Sequence, residues 1–249
     1  MSVDTTWDEE NRRGAHLYQQ GRYTEAEEAF RAALAAAEHD GPTDTRVATV
    51  LNNLASLCHT QRKLAEAQTL YERALSLRRA ALGPDHPMVA QSLNNLSSLY
   101  RELGRHGEAE QLSQQAVAIA EGIFGPDHWR ITNCLNNLGA VYAAQGRYGD
   151  AEACFRRTLS IRRRFFGDTD STVATTLCAL AELALGQAHH ANAEPLFQQA
   201  LAMREEQLGA EHPGVALVLD KFAVLLRETG RETEANAMTT RAQGIRAKQ

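Results

Sequence analysis

Apolar and small residues in this chain fall at i, i+3, i+4 and i+7, which places them on one face of an α-helix. Leu93, Leu96, Ser97 and Tyr100 make one such set; Leu135, Leu138, Gly139 and Tyr142 make another. A turn follows at Gly104 or Gly146, and after it a second periodic segment, which in the later case carries Ala151, Phe155 and Leu159. The pattern predicts a helix, a tight turn and a second helix.

That unit repeats. Leu51-Asn52-Asn53-Leu54 returns as Leu93-Asn94-Asn95-Leu96 and as Leu135-Asn136-Asn137-Leu138, a step of 42 residues each time. Two further steps reach Leu177-Cys178-Ala179-Leu180 and Leu219-Asp220-Lys221-Phe222. Ala67, Ala109, Ala151, Ala193 and Ala235 keep the same step. An N-terminal unit precedes these, with Gly21-Arg22-Tyr23 and Ala26 standing 41 residues before Arg62-Lys63-Leu64 and Ala67. Six repeats follow, at approximately 5–43, 44–85, 86–127, 128–169, 170–211 and 212–249, and they predict about twelve helices in a single all-α domain over 1–249. No repeat can bury its apolar face alone, so neighbours must stack. The end units read as caps: Glu10 and Arg13 replace leucines of the pattern, and Thr239 replaces the large residue supplied elsewhere by Tyr71, Phe155 and Phe197.

The boundaries have local causes. Gly83, Gly125, Gly167 and Gly209 sit where second helices should end in a left-handed residue. Three positions on stand His86, Asp170 or His212, with Asp44 in the first linker; an N-cap role accounts for the aspartates. Pro87 and Pro213 follow, where a helix tolerates a missing N–H.

Composition narrows the functional classes. The hydrophobic fraction of 43% supports a sizeable core, and a formal charge of −5 provides no basic field for nucleic acid or anionic lipid. Lys63, Lys221 and Lys248 are the only lysines among 26 basic residues. Cys58, Cys134, Cys154 and Cys178 form no C-x-x-C pair, so neither a zinc ribbon nor a redox motif is signalled. The first residues show no basic segment followed by an apolar run, and no stretch nears the ~18 apolar residues of a membrane span. A cytoplasmic setting is the expectation, with no membrane and no nucleic acid as partner.

Leu135, Leu138-Gly139, Tyr142, Ala151 and Phe155 match the tetratricopeptide pattern of a large residue, L-G, Tyr, Ala and an aromatic. The usual period is ~34; the extra residues fall between Leu75 and Leu93 and at matching places, lengthening both helices by about a turn each. The 42-residue period, with LNNLA, GRY-x-x-AE and LG-x-DHP-x-V-A, resembles the kinesin light chain repeat domain and its bacterial relatives. The resemblance implies a right-handed superhelix of helix pairs whose first helices line a concave groove.

Three polar ladders are candidates for chemistry. Asn52, Asn94 and Asn136, with Asn11 as a further member, sit about 100° from the core stripe, and Ser56, its counterpart Ser98, Thr49 and His59 share that flank. In the family this flank lines the groove, where a row of amides can hold a peptide main chain. The alternative is that these amides bond neighbouring repeats. For the second row, Asn53, Asn95 and Asn137, bonding between repeats is the preferred reading. Arg22, Lys63, Arg105, Arg147, His189 and Arg231 lie in the turns, where a cation suits a helix C-terminus; ligand binding is the other reading. Arg101 and Arg227 on the groove flank suit an acidic partner, since guanidinium pairs bidentately with carboxylate.

His86, His128 and His212 recur once per repeat, on helices whose axes pack at least roughly 8 Å apart, too far to share a metal whose ligands lie within about 2.1 Å. They read as structural, and no metal or cofactor is expected. No phosphate-cradling loop, G-x-S-x-G or H-E-x-x-H occurs, and Cys178 reads as a small residue in the groove. The expected function is an adaptor or scaffold that binds a protein or peptide partner in the groove. A peptide-responsive regulator is the alternative, and an enzyme or a receptor for chaperone tails is disfavoured. Self-association through the terminal repeats stays open.

Overall fold

A computed structural model of the chain describes residues 3–41 and 44–248. The chain ends and the expected first repeat boundary at 43 lie outside the described residues. The chain divides into two compact units, Met1–Gly125 and Pro126–Gln249. The first holds α1 (Val3–Gln19), α2 (Tyr23–Asp40), α3 (Thr45–Thr60), α4 (Leu64–Leu82), α5 (Pro87–Glu102) and α6 (His106–Phe124). The second holds a 3₁₀ turn (Trp129–Ile131), then α7 (Thr132–Ala144), α8 (Tyr148–Phe166), α9 (Ser171–Gly186), α10 (His190–Leu208), α11 (Pro213–Glu228) and α12 (Glu232–Arg246). Among the described residues there is no strand. Twelve α-helices in six pairs are what the 42-residue step predicts. Within each unit, the second helix of a pair packs on the first helix of the next, and successive first helices also touch.

The helix starts are capped more uniformly than the aspartates alone suggest. Asp44 and Asp170 each accept the N–H two residues on, at 2.8 Å. The linker histidines do the same through Nδ1: His86 accepts from Met88 N–H at 3.2 Å, His128 from Arg130 N–H at 3.2 Å and His212 from Gly214 N–H at 3.0 Å. Their recurrence once per repeat therefore has a capping cause. Trp129 stands where Pro87 and Pro213 open α5 and α11, and there the chain makes a 3₁₀ turn before α7.

The two helices of a pair meet at small residues. Ala109, Ala151 and Ala193 are fully buried. A Cβ on Gly139 would lie 2.7 Å from the Phe155 ring, and one on Gly14 would lie 2.7 Å from that of Phe30. Where the aromatic is lost, the partner changes with it: in α5 and α6 the same two places hold Ser97 and Ser113. Their hydroxyls bond to each other at 2.5 Å, and Ser97 Oγ donates to Ala109 C=O at 2.7 Å.

A buried arginine closes the stack. Arg78 Nη1 donates to Met88 C=O at 3.0 Å and Ser92 Oγ at 2.8 Å, and burial pushes its pKa down to about 10. Arg162 repeats this, with Nη1 on Thr172 C=O at 2.7 Å and Thr176 Oγ1 at 2.9 Å, and Nη2 on Asn133 Oδ1 at 3.0 Å. Arg204 reaches Gly214 C=O at 3.3 Å and Thr175 Oγ1 at 3.0 Å. Each guanidinium joins a second helix to the opening turn of the next repeat's first helix. The third-repeat counterpart is Ala120.

Gly139→Ala should force the Phe155 ring from its seat and cost about 1–3 kcal/mol. Combining it with Phe155→Leu should recover part of that loss, as urea denaturation of the two variants will show.

Candidate functional site

The first helices carry the asparagine rows, and the rows bond to each other. Asn53 Nδ2 donates to Asn11 Oδ1 at 2.9 Å, and Asn95 Nδ2 donates to Asn52 Oδ1 at 3.0 Å. The second asparagine of one repeat thus serves the first asparagine of the repeat before it. Asn52 is buried, with 6% of its surface exposed, while Asn11, Asn94 and Asn136 are half-buried. In the second unit the counterpart of the second row is Ala179, which has no donor to offer. Asn136 Oδ1 is accordingly buried without a hydrogen bond from any described residue.

The rest of the candidate face in the first unit is partly occupied. Ser56 hydrogen-bonds the Tyr71 hydroxyl, whose pKa is pushed up to about 12 by burial against that bond. Glu102 holds both His59 and Arg62. Burial lowers the His59 pKa, and the positive charges of Arg62 and Arg101 lower it further. Ser98 is half-buried on α5, one turn before Arg101.

Arg101 differs from the other arginines on these first helices. Arg12 pairs with Asp8, Arg13 with Glu10 at 3.2 Å, and Arg46 with Asp44 at 3.0 Å. Among the described residues Arg101 has no carboxylate, and its Nε is buried without an acceptor. Beside it stand His59 and Arg62, which share one carboxylate, so this end of α3 and α5 carries excess positive charge.

In the second unit, Arg227 is exposed and donates to Thr239 Oγ1 at 2.7 Å, so α12 takes up part of its bonding capacity. Lys221 pairs with Glu182, and Arg246 with Asp220. Leu217 and Val224 on α11 are 51% and 43% exposed. They occupy columns that hold Gln91, Asn133 and Thr175, and Ser98, Ala140 and Glu182, in earlier repeats. That contrast was available in the aligned repeats and marks an apolar stripe which the asparagine argument passed over.

The turn cations have a defined job. Arg22, Arg105, Arg147 and Arg231 each fork onto a carboxylate three residues on, Glu25, Glu108, Asp150 and Glu234. Their guanidinium Nε atoms lie 2.6 to 2.8 Å from an acceptor oxygen. Arg105 and Arg147 also lie over the rings of Tyr100 and Tyr142, at 3.9 and 4.2 Å. Lys63 instead reaches back to Glu27 at 2.8 Å. The four arginines close their turns by pairing with the start of the following helix.

Among the described residues, no three His, Cys, Asp or Glu side chains converge on a metal position. Burial raises the thiol pKa of Cys58, Cys134 and Cys178 to about 11, so these side chains are held as thiols at neutral pH. No described helix is long and apolar enough to cross a membrane.

This architecture is that of a helical repeat protein with a polar first-helix face. The tetratricopeptide repeat profile matches residues 9–80, 46–122, 130–206 and 190–248, and the chain belongs to the tetratricopeptide repeat family. No curated protein matches the sequence. Among solved structures, the chain is similar to BtubC (BKLC) from P. vanneervenii, with a TM-score of 0.66 at 20% identity over 99% of this chain and 92% of that one. A kinesin light chain-type repeat protein of Podosopora anserina gives 0.64 at 22% identity, covering 82% and 96%. A Rap protein complexed with competence and sporulation factor gives 0.71 at 13% identity, covering 100% and 76%.

The asparagine geometry makes a paired prediction. Asn52→Ala should strand the Asn95 amide and cost about 1–3 kcal/mol, whereas Ala179→Asn should supply Asn136 with its missing donor and gain about 0.5–1.5 kcal/mol. Thermal melts of the two variants should therefore move in opposite directions.

Proposed function

We propose that the chain is a protein-interaction scaffold that holds a peptide of a partner along its first-helix face, with Arg101 as the anchor for an acidic residue. The observation that carries this is the Arg101 guanidinium, which has no carboxylate partner among the described residues and whose Nε is buried without an acceptor. A carboxylate arriving there gains a charge-assisted, two-pronged bond. Asn94 and Ser98 lie on the same flank of α5 and would hold the main chain beside it. In this reading Asn11 and Asn52 act mainly through their bonds within the stack, and Asn136, with its open acceptor, is the amide best placed to take a donor in the second unit.

Family membership supports a partner that is a protein, and the complex of the structurally similar Rap protein with competence and sporulation factor is consistent with a bound partner. The net charge of −5 argues against nucleic acid as the partner. The protonated, buried thiols support a binding protein over a thiol enzyme and suit a reducing, cytoplasmic setting. The unbroken 42-residue step across Gly125 and Pro126 supports reading 1–249 as one repeat domain.

Acidic peptides selected by display against the purified chain test the reading. Arg101→Ala should leave the melting temperature nearly unchanged and weaken the selected peptide by about 10- to 150-fold, the loss of a charged hydrogen bond. The difference between wild type and variant should shrink as salt rises. Equal affinity of the two proteins at low salt would remove Arg101 from the site.

A further inference from the structure

The fifth repeat departs from the third and fourth at one place. Tyr100 fills the angle between its helix pair and the preceding second helix, and both Tyr100 and Tyr142 lie beneath a turn arginine that pairs with an acid. In the fifth repeat all three members change together. The tyrosine becomes Ala184, the arginine becomes His189 and the acid becomes Asn192.

A cavity of about 640 Å³ lies there, within the second unit, between α8, α9 and α10. Leu159, Leu180, Leu183 and Leu196 contribute its apolar lining, and Ala184 lines it as well. Its polar lining is Glu152, Arg156, Gln187, His189 and Asn192, the Glu152 carboxylate being taken up by Arg156. In the first, third, fourth and sixth turns the arginine and acid satisfy one another; among the described residues neither the His189 nor the Asn192 side chain has a hydrogen-bond partner. The polar end of the missing stack has changed too. Tyr100 donates its hydroxyl to Glu72 at 2.7 Å, and the residue matching Glu72 in this cavity is Arg156, a donor. Arg156 is held by Glu152 at 2.7 Å but is 73% exposed and keeps further N–H groups to offer. The volume lies in the range of small-ligand sites, which combine apolar walls with a few polar groups. None of the asparagine-row residues or Arg101 lines it, so it stands apart from the first-helix face.

We propose that this cavity binds an aromatic side chain of a partner protein, which enters where the repeat has lost its own tyrosine and turns a hydrogen-bond-accepting end toward Arg156, His189 and Asn192. The reasons are the shape and the chemistry of the deletion. A tyrosine-sized ring is what the fold accommodates at this place in two other repeats, and the surrounding leucines supply the apolar contact. The exchange of an acceptor for a donor at position 156 selects an end group that accepts. Replacing the arginine–acid pair by His189 and Asn192 leaves no ion pair at this edge for an entering ring to break.

Amide NMR titration of the whole chain tests this, with 4-methylphenol as the side-chain probe and N-acetyltyrosinamide as the residue probe. Both should give saturable shifts centred on Ala184, His189 and Asn192. Ala184→Tyr should refill the cavity and abolish those shifts while keeping the helical circular dichroism signal. His189→Arg is a surface change that does not depend on refilling the core. It should place a guanidinium over the bound ring, as Arg105 lies over Tyr100, and tighten 4-methylphenol by about 2- to 5-fold. Shifts that do not saturate in the wild type, or a folded Ala184→Tyr that binds as the wild type does, would overturn the site. If Ala184→Tyr fails to fold, an unchanged affinity in His189→Arg would do the same. Stronger binding of 3-methylbutan-1-ol than of 4-methylphenol would overturn the aromatic assignment. Binding of 4-methylphenol without N-acetyltyrosinamide would overturn the partner side chain in favour of a free small molecule.

Discussion

Each unit depends on the requirement that a helix pair bury its apolar face on the next pair within it. Leucine packing supplies the area, but area alone does not fix how far one pair rotates against another. Three buried or partly buried arginines do part of that work. Arg78, Arg162 and Arg204 each cross from a second helix to a main-chain carbonyl ten residues ahead, and each adds a side-chain oxygen near it. Among the described residues none of the three pairs with a carboxylate at that place. A guanidinium is suited to such a position because its fork of donors can satisfy several neutral acceptors at once. The charge is tolerated because every acceptor it meets would otherwise be competing for water at a seam that excludes it. The asparagine steps do related work across the first helices, one amide passing a hydrogen bond to the repeat before it.

Much of this was legible in the sequence. The step from Leu51 to Leu93 to Leu135 gave the number and order of the helix pairs, and Gly139 opposite Phe155 gave their close approach. The aspartate caps followed from residue type. The histidine caps did not, because an imidazole nitrogen is an uncommon cap acceptor and nothing in the spacing distinguishes it from a solvated side chain. The arginine seam was visible as a recurrence at 78, 162 and 204, but a recurring arginine late in a helix also fits a cation at its C-terminus. Only tertiary structure shows the side chain turned inward. The asparagine rows were visible as recurrences at 52, 94 and 136 and at 53, 95 and 137. Whether an amide faces a groove or the next repeat depends on the rotation between adjacent helices, which angular spacing along one helix does not contain.

The candidate site was legible in the same uneven way. Arg101 was identified from its flank, and its distinction from Arg12, Arg13 and Arg46 is the absence of a nearby acid among the described residues, which required the fold. Arg227 was identified on equal grounds, yet part of its bonding is taken up by Thr239. The tyrosine, arginine and acid of the turns vary together in the fifth repeat. Reading down the aligned columns at 100, 142 and 184 would have exposed that change, whereas reading along the chain does not.

The longest of the bonds between repeats described above, His59 to Glu102 and Asn95 to Asn52, join residues 43 positions apart. A chain whose partners are always this near closes only short loops as it orders, and such low contact order favours fast folding. During synthesis, a repeat can dock on its predecessor within a unit as soon as roughly one further period has emerged. Duplicating or deleting a whole period would leave every remaining pairing with a neighbour of the right kind, so length in such a chain is free to vary in whole repeats.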